Sequence, residues 1–157
     1  MRPLIVLAAL LALAPVTGEA RAPRWGAPLE RVEACVNDAA GAFGIEPIVL
    51  WTLLDVESGT VGRTSRNTNG TEDIGPMQIN TIHLPHLEQY GIDYGTLRDN
   101  LCININVGAY IFTREYAQTK NVAMAIARYH SRTPRHQQRY LGLAIAALDR
   151  RIAQSSR

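Results

Sequence analysis

The chain has 157 residues, 46% hydrophobic and 19% charged, the composition of one globular domain large enough for a real core. Its net charge of +2 argues against nucleic acid as a partner. It has no long Lys/Arg run, glycine-rich phosphate loop or internal repeat, which argues against nucleotide-binding and repeat architectures.

The N-terminus reads as an address. Arg2 precedes an apolar run from Leu4 to Val16, followed by "TGEARA", the three-part plan of a secretory signal peptide. The run of roughly 13 residues is short of the ~20 that cross a bilayer, so no stable membrane anchor is expected. Cleavage is expected after Ala20 or Ala22, so that residues 1–22 are the signal and 23–157 one exported domain. Export changes the reading of the two cysteines: in an oxidising compartment Cys35 and Cys102 are expected to form a disulfide.

The mature chain reads mainly as helices. Leu29, Val32, Cys35, Val36, Ala39, Ala40 and Phe43 share one helical face, and Gly44 ends that helix. Glu46-Pro47 starts a second, whose body "IVLWTLLDV" is apolar almost all round and which stops at Ser58-Gly59. Residues 60–75 lose the helical period, and Asn69-Gly70 signals a tight turn, so a small β-hairpin is expected. Pro76 is expected to restart a short helix, with another over His86 to Tyr90. Asp99 or Asn100 caps a long helix to about Thr119, Asn121 caps "VAMAIARY", and Thr133-Pro134 opens the last, to about Ala153. The expected fold is a mainly α, helical bundle with one β-hairpin excursion, a monomer.

Two acids stand out. Glu57 ends an apolar helix, where burial and the negative end of the helix dipole both disfavour its charged form. Such an acid stays protonated near neutral pH and can donate its proton. The alternative is a solvated glutamate at a fraying helix end. Asp73 follows the polar stretch "NTNGTE" and is expected to stay ionised, or to cap its loop. Two carboxyls in contrasting surroundings are what glycosidic cleavage needs. No metal or other cofactor is expected: His83 and His86 flank Leu84-Pro85 with no partner at ligand spacing. His130, Arg132, Arg135, His136 and Arg139 form a basic stretch, read either as a solvated helix face or as a contact for carboxylates.

"ESG", "DIGPMQIN", "NLCININVGAYIF" and "AIARYHS", in that order, resemble the lytic transglycosylases of the lysozyme superfamily, most closely the small exported enzymes associated with type III and type IV secretion and conjugation. The resemblance covers roughly residues 30–132. It implies a lysozyme-like fold in the periplasm and cleavage of the β-1,4 bond between N-acetylmuramic acid and N-acetylglucosamine, leaving 1,6-anhydromuramic ends. Peptidoglycan strands would be the substrate, with components of a secretion or conjugation apparatus as further partners. It makes Glu57 the catalytic acid and base, with Ser58 beside it as a substrate-binding residue. Met77 and Gln78 would line the sugar cleft, Asn106 and Gly108 would pack behind it, and Tyr129 would reach toward Glu57. Pro76 departs from a usual leucine, and Arg128, His130 and Ser131 replace the small and amide residues usual around the tyrosine.

"NTNGTEDIGPMQIN" also resembles the hairpin of animal-type lysozymes, which puts Asp73 on their second catalytic carboxylate. A lysozyme-type hydrolase using Glu57 and Asp73 is therefore the second reading. A non-catalytic peptidoglycan-binding assembly factor is the third.

Overall fold

A computed structural model describes residues 23–156. The proposed signal segment, 1–22, lies outside the described residues. Those described form seven α-helices and a three-stranded antiparallel sheet. The helices are α1 (Leu29–Phe43), α2 (Pro47–Glu57), α3 (Leu84–Leu87), α4 (Tyr94–Asp99), α5 (Leu101–Thr119), α6 (Val122–His130) and α7 (Pro134–Ser155). The strands are β1 (Thr64–Arg66), β2 (Glu72–Ile74) and β3 (Ile79–Asn80). The mainly helical bundle with one β excursion is therefore the observed fold.

The caps are the ones the sequence offers. Gly44 closes α1 in a left-handed conformation, and Pro47 opens α2. Asn100 and Asn121 accept the Ile103 and Met124 N–H groups at the starts of α5 and α6. Thr133 precedes Pro134 at the start of α7, but its side chain makes no capping bond. Helix α4, not anticipated, is capped by Asp93, which accepts the Thr96 N–H at 2.7 Å.

Helix α2 is the buried axis. Leu50, Leu53 and Leu54 are fully enclosed, and α1, α5 and α7 all pack against the helix. Its C-terminal end would leave bare carbonyls, and the segment before α1 satisfies them. Trp25 Nε1 donates to the Leu54 carbonyl at 3.1 Å, and Arg24 donates to that of Asp55 at 3.2 Å. The buried Asp55 carboxylate is paired with Arg24 and Arg151, which joins the two ends of the domain beside Glu57. Cys35 and Cys102 are bonded, fastening α1 to α5 across a separation of 67 residues. In the chain-entropy view a loop of that length is worth about 4 kcal/mol.

The expected short helix at Pro76 does not form. Residues 75–78 make a turn, with Gly75 and Gln78 both at positive φ, and β3 follows, paired with β2 through Asp73↔Asn80 and Ile74↔Ile79. The cause is Asn104, fully buried on α5. Its Oδ1 accepts the Met77 N–H at 2.8 Å, and its Nδ2 donates to the carbonyls of Ile74 (2.9 Å) and Leu97 (3.0 Å). This side chain thus ties the backbone before Gly75 and after Pro76 to one buried point on α5, which holds the segment as a turn.

Candidate active site

Gly59 lets the turn close against the end of α2. A Cβ there would lie 2.0 Å from the Gly75 carbonyl oxygen, so no other residue fits without moving the turn. The Gly59 N–H donates to the Pro76 carbonyl at 3.2 Å. Gly108 does the same service from α5: a Cβ there would meet the Met77 Cε at 2.5 Å. These two contacts bring the sheet and α2 to the walls of one open cleft of about 450 Å³. Glu57 lines it from the helix side and Asp73 from the sheet side.

Glu57 is half-buried at the last position of α2. Its Oε1 accepts a 2.6 Å hydrogen bond from the Tyr140 hydroxyl, brought in by α7 from 83 residues away. Burial pushes the carboxyl up from 4.5 to about 7. The Tyr140 hydrogen bond works in the other direction, and the negative charge of Asp73 adds to the rise. Tyr140 itself is pushed upward by burial and by the charge of Glu57, so it remains a neutral donor. Its ring stacks on His130, centroids 4.6 Å apart and nearly parallel.

Asp73 sits mid-strand in β2, opposite Ser65 and Asn80. Its Oδ1 accepts from Asn80 Nδ2 at 2.7 Å. The preceding turn is held by Asn69, whose Oδ1 accepts from both the N–H (3.1 Å) and the hydroxyl (2.8 Å) of Thr71. The carboxylate therefore projects from a fixed hairpin, and the loop cap is a neighbouring asparagine.

The other expected site residues divide. Gln78 lines the cleft, its amide anchored to the Gly75 carbonyl at 2.8 Å and to Ser65 at 3.0 Å. Tyr129 lines it too, and its burial, with the charges of Glu57 and Asp73 adding to the effect, raises it well above the usual phenol range. Its hydroxyl donates to the Met77 carbonyl at 2.9 Å. Met77 is fully buried, so its side chain is packing and its backbone holds Asn104 and Tyr129. Ser58 is exposed in a left-handed helix cap, its hydroxyl donating to the Asp55 carbonyl at 2.6 Å, and it does not line the cleft. Asn106 bonds back to the Cys102 carbonyl within α5, and His86 pairs with Tyr110, while His83 lines the cleft.

Tyr140, which bonds Glu57, and Asn104, which holds the Gly75–Gln78 turn, are not among the residues expected at the site. Each carried a signal. Tyr140 begins the buried stripe Tyr140, Ala144, Ala147 of α7, and Asn104 is an amide among the apolar neighbours Leu101, Ile105 and Gly108. A polar group on a buried stripe requires a partner.

The family described as "Transglycosylase SLT domain" matches residues 34–142. A "Peptidoglycan-binding-like protein" of Escherichia coli O157:H7 is 33% identical over 106 residues, 62% of this chain and 64% of the relative. "Invasion protein IagB" of Salmonella typhimurium (strain SL1344) is 35% identical over 80 residues, 50% of each chain. The match thus spans less than two thirds of the length of both relatives.

Proposed function

The chain belongs to the transglycosylase SLT family, and from that premise we propose that it is a peptidoglycan lytic transglycosylase that cleaves the β-1,4 bond between N-acetylmuramic acid and N-acetylglucosamine. The observation that carries the proposal is Glu57: one carboxyl, in an open cleft, raised to about 7 by burial. At neutral pH a substantial fraction is protonated and can donate to the glycosidic oxygen as the bond breaks. The carboxylate so formed then takes the proton of the muramic 6-hydroxyl while that oxygen attacks the anomeric carbon. The product is a 1,6-anhydro sugar, and no water is consumed. Attack from within the same sugar gains from proximity. Asp73, on the opposite wall, offsets the positive charge that develops at the anomeric carbon. Gln78 and Tyr129 line the sugar path.

Asp73 also favours the second reading. A lysozyme-type hydrolase needs a second carboxylate in the same cleft, and here one is present. Water would then be the acceptor. The relative's printed name, peptidoglycan-binding-like, supports the choice of substrate and leaves the non-catalytic reading as the third. The name of the invasion protein supports a role in opening the wall locally for a secretion apparatus, in the periplasm, after removal of residues 1–22.

Digestion of purified sacculi with the mature chain, followed by mass spectrometry of the fragments, separates the three. Anhydro ends, one water lighter than hydrolysed ends, are expected. Reducing ends as the main product move the chain to the hydrolases, and intact sacculi move it to the binding proteins.

A further inference from the structure

A second cavity, of about 380 Å³, opens between the end of α2 and the start of α7. It shares Glu57, His130 and His136 with the cleft and adds Arg139, Tyr140 and Leu143. Its ionisable lining is one-sided. His130 closes α6, while His136 and Arg139 stand on the first two turns of α7, whose N-terminal end adds partial positive charge. The one carboxyl in the lining is Glu57, already engaged by Tyr140.

The nearby cations are not equivalent. Arg128 and Arg132 are both paired with Glu115, at 2.8 and 2.7 Å. Among the described residues Arg139 has no carboxylate within 4.0 Å. His130 is held in place by its stack on Tyr140. A cavity beside the reacting acid thus presents a stacked imidazole, an exposed second imidazole and an exposed, unneutralised guanidinium.

We propose that this cavity is an anion subsite that takes a carboxylate carried on the lactyl arm of muramic acid, with Arg139 as its principal cation and His136 and His130 as flanking donors. The proposal rests on the reading of peptidoglycan strands as substrate and deepens it. Every muramic residue bears such a group, either the free lactyl acid of a peptide-free strand or the carboxylates of an attached stem peptide. A neutral strand of N-acetylglucosamine bears none. The subsite would therefore select muramic strands and set which sugar lies next to Glu57.

The test is a binding titration, which needs no cleavage. The Glu57→Gln chain, which leaves strands intact, is titrated by sedimentation against native sacculi and against sacculi whose carboxyls have been converted to neutral amides, and by calorimetry against the soluble peptide-free strands that an amidase releases from sacculi. Adding Arg139→Ala is expected to weaken binding to native sacculi about three- to five-fold, the size expected of a partly solvated ion pair, and to leave binding to amidated sacculi unchanged. Arg139→Lys should retain most of the affinity. Arg150→Ala, which removes the same charge from the other end of α7, should retain all of it. A loss seen on the peptide-free strands identifies the lactyl acid, and one confined to peptide-bearing sacculi identifies the stem peptide. Equal loss on native and amidated sacculi, no loss on either native sacculi or peptide-free strands, or no binding to any of the three overturns the subsite. Failure of the unmodified chain to cut sacculi would overturn the catalytic reading and leave this measurement standing.

Discussion

The two walls of the cleft carry the same functional group and treat it in different ways. On the helix wall, Glu57 ends a buried helix, and its hydrogen-bond partner is a tyrosine. On the sheet wall, Asp73 projects from a three-residue strand and is bonded by an asparagine amide. Asp55, only two residues before Glu57, is paired with two guanidiniums; among the described residues Glu57 is paired with none. Burial without a cation keeps a proton on a carboxyl, and a nearby anion strengthens the effect. The helix wall thus makes a proton donor, and the sheet wall supplies the charge that helps to keep it one.

The contrast can be broken at either wall. Glu57→Gln keeps the shape and removes the transferable proton. We expect the release of soluble fragments from sacculi to fall by about 10²–10⁴-fold with the fold unchanged by circular dichroism. Activity close to that of the unmodified chain would end the assignment. Asp73→Asn should slow cleavage by about ten-fold, less than Glu57→Gln, by removing the anion that faces the developing positive charge. Full activity in this variant would leave Asp73 as a hairpin residue only.

The pH profile sharpens the comparison. In the proposed mechanism the protonated form of Glu57 is the donor, so activity should decline as pH rises through about 7. The charge of Asp73 raises Glu57, so Asp73→Asn should move that decline to lower pH. The Tyr140 hydrogen bond lowers Glu57, so Tyr140→Phe should move it to higher pH, with a rate change of only a few-fold. Rate measurements across pH 5–9 check both, and shifts in the same direction for the two variants would refute the assigned causes.

Much of this was legible in the sequence because it was local. The helical periods, the asparagine caps, the Asn69-Gly70 turn and the start and stop of α2 are all written within a few residues. The pairing of Cys35 with Cys102 followed from the count of cysteines in an exported chain. What was not legible depends on residues far apart. Nothing near Pro76 says that its turn will be claimed by Asn104, and the Pro signal was read locally as a helix start. Nothing near Glu57 says that Tyr140 will arrive from α7. Met77 and Ser58 illustrate the reverse: motif position made them cleft residues, whereas packing put one side chain in the core and the other at a helix cap.

The central claim is that the carboxyl of Glu57 holds its proton to near neutral pH because of where the fold puts it. Carbon-13 NMR titration of the side-chain carboxyl carbon reads this without reference to any substrate. A midpoint near 7 is expected in the unmodified chain and a lower one in Asp73→Asn. A midpoint near 4.5, the ordinary value for a glutamate, unmoved by Asp73→Asn, would contradict it.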